Sequence, residues 1–161
     1  MIPINSPVAA QKGARAKWSS IEFETKSWGR LLTRWAIFEN GSGSWRESKD
    51  RPGAAFSDYD IVVHDLPENK AGFAEVSATL AKLPGEAPDF NNCSNFMTDA
   101  PYGTIRLTSG VTTTEIAWNS GCMDSQYLRF LSILQSADQK VAAWGKAAPV
   151  VQTERSIQQA N

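Results

Sequence analysis

One histidine and two cysteines among 161 residues are too few for the familiar zinc frameworks, which draw three or four ligands mainly from those residue types. No metal and no cofactor is expected. The chain also lacks an excess of charge of one sign: 16 Lys and Arg stand against 17 Asp and Glu. That balance removes the global electrostatic case for a nucleic-acid partner or a polybasic membrane contact. No apolar run approaches the roughly eighteen residues of a membrane span. Catalytic signatures are missing too, with no GxSxG, HExxH, DxDxDG or P-loop pattern in the sequence. What remains, 42% hydrophobic and 20% charged residues, is the composition of one folded domain with a real core.

The ends are expected to lie outside that core. Residues 1–17 hold two prolines, small residues and three late positive charges, with no apolar stretch long enough for a signal-peptide core. Residues 149–161 follow a helix-breaking Pro149 and are mostly polar. Both read as flexible tails flanking a domain over residues 18–148.

Within the domain, Trp18 to Lys26 alternates between apolar and charged residues, the mark of a half-buried strand. After the turn at Ser27-Trp28-Gly29, Arg30 to Glu39 carries apolar residues on both faces and should be central. Asn40-Gly41 signals a hairpin into Ser44 to Lys49, and Phe56 to His64 supplies a fourth strand. Gly41-Ser42-Gly43 belongs to that hairpin turn rather than to a phosphate cradle, which needs a helix start behind it. Phe73, Val76, Leu80 and Leu83 recur at helical spacing between Pro67 and Pro84-Gly85. A second hairpin follows, Gly103 to Thr108 and Val111 to Asn119, and then a helix from Asp124 or Ser125 to about Trp144 with Tyr127, Phe130, Leu131, Leu134, Ala137 and Val141 inward. The order ββββ-α-ββ-α predicts an α+β fold with an antiparallel sheet, or sheets, of about six strands and two helices.

Cys93 lies in a polar loop before the second hairpin, and Cys122 lies in the turn after it. That placement, unlike a CxxC pair, suits a disulfide closing one structural unit. A bond there favours an oxidising compartment, so the protein is expected to be periplasmic or secreted, its signal peptide lying outside this chain.

The side chains that could carry chemistry do not converge by spacing. His64 shares a strand face with Asp58 and Asp60, but two residues per repeat along that face leave it without a partner in hydrogen-bond reach. Glu22 and Glu24 stand about 7 Å apart on one face, compatible with glycosidase carboxylates. Arg30 and Arg34 arrive from the next strand, however, and cross-strand ion pairs are the commoner use. Charge is uneven: residues 58–99 carry eight Asp and Glu against two Lys. This reads either as a solvated acidic face or as a surface for a basic partner, with Asp58 and Asp60 as candidates. Trp18, Trp28, Trp35 and Trp45 crowd the first 45 residues. Trp18 and Trp35 can fill a core, whereas Trp28 in a turn and Trp45 beside one should be wet and available for contacts.

The stretch Thr98-Asp99-Ala100-Pro101-Tyr102-Gly103-Thr104, with the Gly121-Cys122 turn, the helix ending near Ala143-Trp144 and the opening Arg34-Trp35 to Ser44-Trp45 strand-turn-strand, resembles small exported bacterial proteins of unassigned function. The resemblance covers residues 18–148, implies an α+β fold with Cys93 and Cys122 paired, and transfers no catalytic residue. Two functions are open: a non-catalytic exported domain that binds a small ligand or a protein, or a small hydrolase or enzyme inhibitor.

Overall fold

The computed structural model describes residues 18–157, which form one seven-stranded antiparallel sheet with two helices. The strands are β1 (Ser20–Ser27), β2 (Arg30–Phe38), β3 (Gly43–Asp50), β4 (Tyr59–Leu66), β5 (Tyr102–Ser109), β6 (Thr112–Asn119) and β7 (Val150–Arg155); the helices are α1 (Lys70–Leu80) and α2 (Ser125–Ala147). The sheet order is β6-β5-β1-β2-β3-β4-β7. The expected α+β class and element order hold, with one strand more. The two hairpin groups form a single sheet because β1 pairs with β2 on one side and with β5 on the other.

The alternation seen in the sequence sets the two faces. Ile21 and Phe23 of β1 stand opposite Ile37 and Trp35 of β2 and opposite Leu107 and Ile105 of β5, and all six are buried. They meet Phe73, Val76 and Leu80 of α1 and the Tyr127, Phe130, Leu131, Leu134, Ala137 and Val141 stripe of α2 in one core. The opposite face of the sheet carries Glu22, Glu24, Arg34, Arg106 and Glu115, residues suited to water.

Helix α1 begins three residues after Pro67, because the Asn69 side chain accepts the Gly72 N–H at 2.9 Å and caps it there. Helix α2 passes close to the sheet at Gly145, where an added Cβ would run into the Trp45 indole. This close approach explains why Trp45 is 1% exposed rather than wet. β3 is an interior strand, its Trp45 stands opposite Trp35, and a helix covers both.

The tail expected at residues 149–161 is in part a strand. Pro149 ends α2 and turns the chain back, and Val150–Arg155 pairs antiparallel with β4. Arg155 holds Asp58 through two bonds of 3.0 and 2.8 Å, and Arg46 reaches Glu154 at 3.1 Å. The sequence signal was weak because Val150 and Val151 are both more than half exposed. The strand is recruited by the open edge of β4 rather than by an apolar face of its own. The expected tail over residues 1–17 lies outside the described residues, as do residues 158–161.

Candidate functional site

The turn between β1 and β2 consists of Trp28 and Gly29, with φ of 53° and 77°. Positive φ at both central residues is the geometry that matches the twist of a two-residue hairpin, and it is ordinarily filled by Asn-Gly or Gly-Gly. A tryptophan in the left-handed region is sterically costly. Its indole nevertheless projects to solvent, 69% exposed. Tyr102, the first residue of β5, braces the turn by accepting the Gly29 N–H on its hydroxyl at 3.0 Å.

Beside this turn runs the segment from Cys93 to Pro101, which has no repeating pattern and owes its order to tethers. Cys93 and Cys122 form a disulfide with Cα atoms 5.9 Å apart, as their placement predicted. The Asp124 carboxylate accepts the backbone N–H groups of Ser94 and Asn95 at 2.8 and 2.9 Å. Met97 N–H donates to the Gly121 carbonyl at 2.8 Å, Met123 N–H to Asn95 at 2.7 Å and Ser120 N–H to Pro101 at 2.9 Å. Held this way, Phe96 and Met97 stay 46% and 55% exposed, although apolar side chains in a free loop could turn inward.

Together the turn and the tethered segment enclose an open groove of about 400 Å³ lined by Trp28, Phe96, Thr98, Asp99 and Tyr102. Asp99 has φ of 69°. Among the described residues, Trp28 and Asp99 are the two non-glycine positions with positive φ, and they share this groove. Asp enters the left-handed region readily, so the costly position of the two is Trp28, and such strain concentrates where the backbone is held for a purpose. No family model, curated protein or solved structure matches this chain.

Of the four residues expected to bind, the structure brings only Trp28 to this groove. Trp45 is in the core, where its indole contacts His64 edge-on with centroids 5.1 Å apart. Asp58 and Asp60 do not make a free acidic surface. Asp58 is held by Arg155, whose hydrogen bonds pull its carboxyl below the ordinary range. Asp60 accepts from Arg51 at 2.8 Å. Phe96 and Asp99 were missed because a loop without periodicity gives no sequence signal of exposure, and Tyr102 because the strand was expected to start at Gly103.

The other candidate chemistries are used up internally. His64 places Nδ1 3.0 Å from the Ala148 carbonyl oxygen and Nε2 3.1 Å from Glu47, so the ring pins the end of α2 to the sheet. The expectation that His64 had no partner in reach was wrong: Glu47 comes from the neighbouring strand β3, a pairing that spacing along β4 cannot reveal. Arg34 lies 3.5 Å from Glu22 and 4.0 Å from Glu24, the cross-strand use expected of that pair. Arg30 instead turns to Asp50 at 2.6 Å and to the rings of Tyr59 and Phe56. Cys93, Cys122 and Asp124 lie close enough to suggest a metal set. The two sulfurs are bonded to each other, however, and the carboxylate is occupied by two N–H donors.

Proposed function

We propose that this chain is a non-catalytic, exported binding domain whose contact surface is the groove between the Trp28 turn and the disulfide-tethered segment. The observation that carries the reading is the Trp28 indole, held at positive φ and 69% exposed, at the edge of a groove that also presents the exposed Phe96 ring. A hairpin that needed only to turn would gain stability from Asn or Gly at position 28. Keeping an indole there gives a large, rigid contact area at low entropic cost. Phe96 and Tyr102 extend the area, and Asp99 and Thr98 supply polar edges, the mixture found where aromatic anchors meet a partner. The disulfide supports an oxidising compartment, periplasmic or extracellular. The partner is a protein or small ligand with an apolar surface, and no nucleic acid is expected. An enzymatic reading has less support, since both cysteines are bonded and the histidine is buried against two acceptors.

The test compares wild type with Trp28→Ala, Phe96→Ala and a control outside the groove, Asp58→Asn, in affinity for partners captured from the periplasmic or secreted fraction of the source organism. Truncating a central aromatic anchor costs about 2 kcal/mol or more, roughly a 30-fold loss of affinity. The expected result is that loss for Trp28→Ala and Phe96→Ala, with little change for Asp58→Asn. Unaltered affinity in both aromatic variants, each shown to be folded, would overturn the assignment of this surface.

A further inference from the structure

A second cavity, of about 150 Å³ and lined in part by Pro101 and Ser120, lies between the sheet and α2. Phe23, Pro101, Trp118, Leu131 and Leu134 give it apolar sides. Phe23 is sandwiched between Trp35 and Trp118, with centroids 5.6 and 5.4 Å away. These rings therefore spend their faces on one another and act here as a rigid apolar wall.

A single carboxylate, Asp138 of α2, opens into this cavity. One oxygen accepts the Trp35 indole N–H at 2.8 Å, and among the described residues no Lys, Arg or His pairs with it. Trp35 alone does not explain a carboxylate, because the amide oxygen of an asparagine would accept that N–H equally well. What the carboxylate adds is a negative charge partly withdrawn from water between apolar walls, and a cation offsets the cost of holding it there. Burial accordingly pushes the Asp138 carboxyl above its ordinary range, and the Trp35 bond draws it part of the way back. Thr25, Ser120 and Gln135 complete the lining, each with an oxygen able to accept. Ser120 already gives its hydroxyl hydrogen to the Pro101 carbonyl at 2.6 Å, so its lone pairs face the remaining donors.

We infer that this cavity binds a primary ammonium group on a short alkyl stem, with the ammonium against Asp138 and the stem against Leu131, Leu134 and Trp118. Three N–H donors match one carboxylate and a ring of neutral acceptors better than a quaternary ammonium does, since the latter donates no hydrogen bond. The volume corresponds to roughly five water molecules of liquid, enough for a four-carbon amine. The same chemistry is offered by a free alkylamine and by a lysine side chain. This inference is independent of the Trp28 groove.

The experiment follows the six indole N–H signals of the full chain by two-dimensional NMR during titration with n-butylammonium, with 1-butanol and with Nα-acetyl-lysine methylamide. Saturable shifts of the Trp35 and Trp118 signals are expected with n-butylammonium and not with 1-butanol. Asp138→Asn, which keeps the acceptor for Trp35, should weaken binding at least about tenfold. Binding to wild type should also fall as the pH is lowered and Asp138 takes up its proton, a readout that stands even if the variant fails to fold. Comparable saturation by the lysine derivative identifies a protein side chain as the ligand; saturation by n-butylammonium alone identifies a free amine. Shifts that never saturate at tens of millimolar, identical shifts with 1-butanol, or undiminished binding at low pH would each overturn the inference.

Discussion

Removing the Cys93–Cys122 bond should cost stability out of proportion to the two atoms lost. The bond joins residues separated by 29 positions. On the chain-entropy model, opening a loop of that length returns about 12 cal/mol/K to the unfolded chain, or about 3.6 kcal/mol at 25 °C. For a domain of this size, unfolding entropy near the midpoint is about 2.1 cal/mol/K per residue, so the melting temperature should fall by about 10 °C. The assay is thermal and urea unfolding of wild type with and without reductant, beside the double variant Cys93→Ala with Cys122→Ala. The urea slope should rise modestly, because the opened loop lets the unfolded chain expose more surface. Reduction should also release the Ser94–Pro101 segment, seen as faster amide exchange at Phe96 and Met97 while the core strands stay protected. A midpoint that moves by less than about 2 °C on complete reduction would refute the reasoning, since the tethers from Asp124 and Gly121 would then suffice alone.

Ending the chain at Ala148 removes β7, and several ladder bonds at about 0.5–1.5 kcal/mol each predict a loss on the order of 3 kcal/mol in urea unfolding; an unchanged midpoint would show β7 to be incidental. Asp138→Asn should stabilise the protein at neutral pH, and the gain should shrink as the pH falls. The sign follows from the raised carboxyl: between the ordinary carboxylate range and the folded value the native state holds more protons than the unfolded one, so wild-type stability drops as pH rises through that window. Midpoints of both proteins measured across a pH series from acid to neutral check this, and parallel profiles would contradict it. Gly145→Ala should destabilise by about 1–3 kcal/mol because its methyl group meets the Trp45 indole; a neutral or stabilising change in chemical denaturation would mean that α2 shifts freely.

Much of the fold was legible because strands with one wet face advertise themselves: Ile21 and Phe23 alternating with Glu22 and Glu24 could hardly be anything else. The disulfide was legible from where two turns fall around one hairpin. Trp45 was misread because its burial depends on two remote facts, the β4 strand on its far side and a glycine a hundred residues later in α2. β7 was misread because an edge strand borrows its partner and needs little apolar character. At the candidate site Trp28 was visible as an aromatic in a turn, while Phe96 and Asp99 owe their position to tethers that only tertiary structure supplies. Asp138 had no comparable signal, since of the buried indoles Trp35 finds an acceptor while Trp45 and Trp118 find none among the described residues.

The place of β1 in the middle of the sheet has a consequence for how the chain acquires its shape during synthesis. The first four strands form a meander of near neighbours and can pair as soon as they emerge. One flank of β1 must wait for β5, a partner 89 residues away at the Ser19 to Thr108 contact. Until then Ile21 and Phe23 belong to a strand whose unpaired edge is open to other chains. The alternating Glu22 and Glu24 place like charges along that strand and discourage a second copy from pairing in register. Arg34 of β2 offsets part of that charge from the start, and Arg106, which reaches Glu22, adds to it only when β5 arrives. The same glutamates that serve as solvated surface in the finished sheet thus act earlier as guards of an unfinished one.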